Sequence, residues 1–92
     1  MAQLLTDSEV SSALATVPDW RLSDAAITRT VDLASFPDAV AFVVRVGYLA
    51  EAADHHPDID IRWRTVTLRL STHSEGGLTS KDFALAAQID AL

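Results

Sequence analysis

Read for the spacing of its apolar side chains, the chain divides into three stretches with helical periodicity and four with strand alternation. Thr6 and Glu9 stand at the spacing of a capping box, and Val10, Ala13, Leu14 and Val17 follow at helical intervals until Pro18 stops the run. Trp20 and Leu22 alternate with Arg21. Beyond the polar turn "SDAA", Ile27, Val31 and Leu33 alternate with Thr28, Thr30 and Asp32, which predicts a β-hairpin.

Ser35 can cap a second helix, with Asp38 three residues later and Pro37 tolerated in the first turn. From Ala39 to Ala53 this helix is apolar almost all round, its charges being Arg45 and Glu51. A surface helix needs one apolar stripe, and this one carries two: one for a sheet and one for a partner outside the fold. Pro57 ends the helix, because the residue before a proline disfavours helical angles. Ile59, Ile61 and Trp63 then alternate with Asp60 and Arg62. Past "RT" the apolar phase shifts to Val66, Leu68 and Leu70, opposite Thr65, Thr67, Arg69 and Ser71, which marks the turn of a second hairpin. "SEGG" is a loop, after which Thr79 and Asp82 open a third helix with Phe83, Ala86, Ala87 and Ile89 as apolar members. The predicted order is α-β-β-α-β-β-α. The fold class is α+β: a two-layer sandwich with a four-stranded antiparallel sheet and three helices on one face. No repeat or linker interrupts it, so residues 1–92 are read as a single domain.

Composition narrows the partners. With 92 residues and no cysteine, the core must come from apolar burial, and a hydrophobic fraction of 49% suffices for that and for burial between subunits. A formal charge of −6 argues against nucleic acid and anionic membranes. No stretch has the roughly 20 apolar residues of a membrane span, and "MAQLLTDSEV" lacks the features of a secretory signal, so a cytoplasmic location is expected.

Three histidines carry the candidate chemistry. His55 and His56 are adjacent at the end of the second helix, where the helix dipole favours a protonated imidazole, and His73 ends the fourth strand. Adjacent helical residues point about 100° apart, so the two rings can serve one atom only if the helix has unwound. Glu51, four residues before His55, can reach it on the same face. Histidines at helix ends are often simple caps. A neighbouring pair chelates one ion poorly, which speaks against a metal site. An acid–base role needs two imidazoles flanking a small polar substrate, with carboxylates behind them, and Glu51 and Asp82 can fill that place.

The ordered pattern is more specific than any one of these residues. Glu51, three residues, "HHP", five residues, Trp63, nine residues, His73, eight residues and Asp82 stand in a fixed series, with "FPDAVAFVVRV" before it and "LSTH" and "GGLTSKD" within it. From the "DW" of the first strand to "AAQID", the chain resembles the pterin-4a-carbinolamine dehydratase family, known in animals also as a dimerisation cofactor of a homeodomain transcription factor. The resemblance implies loss of water from 4a-hydroxytetrahydrobiopterin to give the quinonoid dihydropterin, recycling the pterin of aromatic amino acid hydroxylases without metal or redox cofactor. It implies His55 and His73 as the catalytic pair and His56 as a further acid–base or ring-binding group. Asp82 would hold His73. The substrate-contacting stretches would be Asp54, His55, His56 and Pro57, and Ser71, Thr72 and His73, with Trp63 as an aromatic wall where tyrosine is frequent in the family. Asp19 in place of a common glycine, and "DA" for "DG" in the first turn, are departures expected to affect loop geometry alone. A homo-oligomer, dimer or tetramer, fits the doubly apolar helix. The alternative is a non-enzymatic adaptor or assembly factor that binds a partner protein, such as a hydroxylase, through that helix.

Overall fold

The Glu9 amide donates to Thr6 Oγ1 (3.1 Å) and the Thr6 amide to Glu9 Oε1 (2.9 Å), so the predicted capping box opens the first helix, α1 (Asp7–Leu14). The computed structural model describes residues 3–92. After α1 come β1 (Arg21–Ser23), β2 (Ala26–Asp32), α2 (Phe36–Ala53), β3 (Asp58–Arg62), β4 (Thr65–Leu70), a 3₁₀ turn (His73–Glu75) and α3 (Ser80–Asp90). This is the order expected. The four strands form one antiparallel sheet in the order β1-β2-β4-β3.

The strand registers sort the two faces. Ile27 pairs with Leu70, and Leu68 with Ile59, which puts the apolar side chains of β2, β3 and β4 on the face that the helices cover. Val66, Leu68 and Leu70 are fully buried there, against Ala39, Val46 and Ala50 of α2 and Leu85, Ala86 and Ile89 of α3. The opposite face carries Thr28, Thr30, Thr67, Arg69 and Asp60 and is polar, the usual state of an antiparallel sheet with one solvated side. Several local expectations shift, among them the end of α1, which stops at Leu14 with Val17 beyond it. β2 ends at Asp32, before Leu33. The second hairpin turns at Trp63 and Arg64, with Arg62 opposite Thr65, because Trp63 takes a left-handed conformation (φ +54°) that an extended strand cannot continue. In α3 Leu85 is buried along with Phe83, Ala86 and Ile89, and Ala87 faces outward.

The second helix has the two stripes expected of it. Ala39, Val46 and Ala50 are buried, while Phe36, Val40, Val44 and Tyr48, spaced four apart, are exposed, Tyr48 to 77%. Among the described residues no helix is long and apolar enough to cross a membrane.

Candidate active site

Three element ends meet around the histidines: the C-terminus of α2, the chain leaving β4, and the N-terminus of α3. At the first, Asp54 adopts a left-handed conformation (φ +49°), and the His55 amide donates back to the Ala50 carbonyl at 3.0 Å, a helix-terminating pattern that reverses the chain. This unwinding sends the neighbouring rings to different places. His55 turns inward and is 8% exposed, while His56 stays outside and meets Glu51 Oε1 at 2.9 Å. Glu51 therefore partners His56 rather than His55, because the left-handed residue rotates His55 off the helix face they would have shared.

Asp82 is the centre of the buried part. It occupies the third position of α3 and is fully buried. Its Oδ1 lies 2.5 Å from His55 Nε2, and its Oδ2 accepts from the Thr79 amide (3.0 Å) and the Thr72 hydroxyl (2.8 Å). Donor counting fixes the direction of the rest. Thr72 gives its proton to Asp82, so in the 2.8 Å contact between the two threonine hydroxyls Thr79 is the donor, and its oxygen also accepts from the Lys81 amide (3.3 Å). An ionised Asp82 thus receives three hydrogen bonds at the positive end of a helix dipole, which is what a buried carboxylate needs. Facing an acceptor, His55 carries its proton on Nε2 and has Nδ1 as its free nitrogen in the neutral form, a tautomer assigned from the network. Asp82 holds His55 and not His73, a correction to the expected pairing: both its oxygens are occupied from beneath the cleft.

His73 stands at the start of the 3₁₀ turn, which Gly76 ends with a φ of +73° that suits glycine. The Thr72 amide donates to the Gly77 carbonyl at 2.9 Å and closes this loop. An open cleft of about 340 Å³ is lined by Asp54, His55, His56, Ser71, Thr72 and His73, together with Ser74 and Lys81. Six of the expected substrate-contacting residues are brought together. Pro57 is not among the lining residues, and Trp63 stands at the far end of β3, roughly 16 Å of strand away. Sequence reading missed Ser74 and Lys81, although the "KD" at the start of α3 was a signal that Lys81 would lie beside Asp82. A cleft of about 370 Å³ at the other end of the molecule, between β2, α2 and the end of α3, contains no histidine, and its Arg29 is engaged by Asp90. It is the larger of the two but lacks a proton-transfer pair. Among the described residues no three histidine or carboxylate side chains converge as a metal-binding group.

The family model for pterin 4 alpha carbinolamine dehydratase matches residues 3–92. The chain belongs to that family. A Roseiflexus castenholzii protein, named provisionally as a pterin-4-alpha-carbinolamine dehydratase, is 61% identical over 90 residues, covering 98% of this chain and 97% of its own. A Nocardia farcinica protein of the same provisional name is 59% identical, with 98% and 95% covered. Among solved structures, a transcriptional coactivator/pterin dehydratase from Brucella melitensis superposes with a TM-score of 0.90 at 36% identity, covering 95% of both chains. The pterin dehydratase fold thus carries the histidine cleft described above, with its buried carboxylate beneath His55.

Proposed function

We propose that this protein, as a cytoplasmic homo-oligomer, dehydrates 4a-hydroxytetrahydrobiopterin to quinonoid dihydropterin and water by histidine acid–base catalysis. The observation that carries this reading is the ring of His55, held at Nε2 by the buried Asp82, in one small cleft with the exposed His73. The reaction breaks the C4a–O bond, removes the N5 proton and leaves a C4a=N5 double bond. His55 takes the N5 proton on Nδ1, and the imidazolium so formed sits beside the Asp82 carboxylate. His73 gives a proton to the departing hydroxyl, which leaves as water. Each positioned proton-transfer group typically contributes about 10²–10⁴-fold. His56, on the rim, contacts the pterin, and Asp54, Ser71 and Thr72 offer it hydrogen-bonding groups.

The test is a stopped-flow measurement of carbinolamine decay with purified protein, run with and without a metal chelator. Accelerated decay in both is expected, and decay at the unassisted rate would reject the reading. A second reading rests on the outer stripe of α2: Phe36, Val40, Val44 and Tyr48 form an uncovered apolar row, and the solved Brucella relative is named a coactivator as well as a dehydratase. In that reading the helix binds another protein, and a chain without dehydratase activity that still captures a hydroxylase or other partner through α2 would favour it.

A further inference from the structure

Lys81 is the only lysine in the chain, whose other long basic side chains are arginines, and it lines the histidine cleft. Helix stability does not explain its place. It stands second in α3, in the first turn, where the helix dipole disfavours a cation, while the last turn of α3 holds no basic residue. The residues three and four positions away, Gly77, Leu78, Ala84 and Leu85, offer it no carboxylate. Its amide donates to Thr79 Oγ1 at 3.3 Å, but among the described residues its side chain makes no hydrogen bond and no ion pair. Neighbouring Asp82 does not neutralise it, since both carboxylate oxygens are occupied by His55, Thr72 and the Thr79 amide. Of the other basic groups in the lining, His55 is set against Asp82 and His56 against Glu51. Lys81 has no such partner.

The pterin ring itself does not call for this cation. Its 2-amino group and N3–H are donors, and Asp54 in the cleft lining is an acceptor suited to them. We propose that the cleft selects pterins whose C6 side chain ends in a phosphate ester, and that Lys81 is the specificity-determining residue that binds the phosphate. The inference rests on the pterin reading of the cleft and names its substrate class more closely. Burial sets the direction of the ligand. His55, at 8% exposure, lies at the floor, and Lys81 is exposed at the start of α3, so a ring whose N5 reaches His55 leaves its side chain toward the open mouth. A phosphate there keeps part of its hydration, and the site need not bear the cost of burying a dianion. Lysine suits that place because its ammonium is a point charge on a flexible stem, able to follow the mobile end of a side chain. The chain's formal charge of −6 repels a phosphate from most of the surface, so one cation without a counter-ion decides where the anion settles.

The test compares 7,8-dihydroneopterin with its 3′-monophosphate, two probes that differ in the phosphate alone, by fluorescence titration. The parent should bind the phosphate ester about tenfold more tightly, the scale of one charge-assisted hydrogen bond, and the advantage should shrink as salt screens an exposed pair. Lys81→Ala should reduce that preference to about twofold or less, while Lys81→Arg keeps most of it and Lys81→Glu reverses it. The Lys81 side chain holds nothing in the fold, so all three variants should unfold close to the parent's midpoint, which separates lost recognition from lost structure. With the two 4a-carbinolamines as substrates, the preference should appear in KM and not in kcat, because the phosphate lies away from the reacting C4a–N5 bond. A parent that binds both probes equally overturns the proposal. So does a Lys81→Ala chain that weakens both by the same factor, since Lys81 would then serve a group common to all pterins, such as the C4 carbonyl. Either result leaves the dehydratase reading standing if the neutral carbinolamine is turned over. A parent that binds neither probe sinks the pterin reading and this inference together.

Discussion

His55 Nε2 and Asp82 Oδ1 lie 2.5 Å apart although 27 residues separate them in the chain, and the carboxylate in this pair is fully buried. The pair joins the end of α2 to the start of α3, so it bears on both stability and ring orientation. Asp82→Asn separates the two. An amide cannot accept from Thr72, Thr79 and His55 on two oxygens as the carboxylate does, and its NH₂ group, if turned toward His55, forces the proton onto Nδ1. Dehydration should slow by roughly 10²-fold or more, the scale of a lost or mis-set general base. The carbinolamine assay reads this effect, and ring ¹⁵N shifts of His55 should report the changed tautomer. Unaltered shifts and rate would mean that Asp82 serves the fold alone.

His55→Ala and His73→Ala should each slow dehydration by roughly 10²-fold, and the double variant should fall well short of the product of the two, because the groups act in one event. Their stabilities should differ. His73 is exposed, and its loss should leave the denaturation midpoint close to the parent's. Removing His55 strips a donor from a buried carboxylate, with an expected loss of about 1–3 kcal/mol in urea unfolding.

Glu51 and His56 form an exposed pair, with side chains 82% and 58% accessible. Glu51→Gln should change stability by less than about 1 kcal/mol, as surface ion pairs usually do. His56→Ala should raise KM for the pterin more than it lowers kcat. A larger effect on kcat than on KM would make His56 a proton-transfer group in its own right.

Val44→Asp places a carboxylate in the middle of the outer stripe of α2. If that stripe is buried between copies, the charge is left without a partner at a cost of about 3–5 kcal/mol, and sedimentation should show a smaller species. Since Val44 is 53% exposed in the single chain, the fold itself should be unaffected. An unchanged sedimentation coefficient would show that the stripe is not a subunit contact.

The element order was legible because each signal was local: capping boxes at Thr6 and Thr79, the Ser35 cap, and alternation in β2 and β4. The double stripe of α2 was legible for the same reason, since apolar residues on all sides of one helix exceed what one sheet can cover. The pairing of histidines with carboxylates was not. Spacing suggested Glu51 with His55, but a left-handed Asp54 redirects the ring, and a three-dimensional reversal at one residue leaves little trace in periodicity. Asp82 could be read as a helix-start residue, yet nothing in its neighbours said which histidine would lie over it. Trp63 misled in the opposite way. Its alternation with Ile59 and Ile61 read as strand, while its backbone belongs to the turn.

Asp82 is also the residue whose side chain bonds the Thr79 amide at the first turn of α3. The helix start and the seating of the His55 ring therefore open and close together. Fraying of that one turn, a sub-global event far below the energy of unfolding, releases the ring without disturbing the sheet. The fraction of molecules with a seated ring is then governed by the local opening equilibrium at Thr79, whose amide exchange rate should track it, and a substitution that leaves the melting temperature untouched can still silence the site by loosening a single cap.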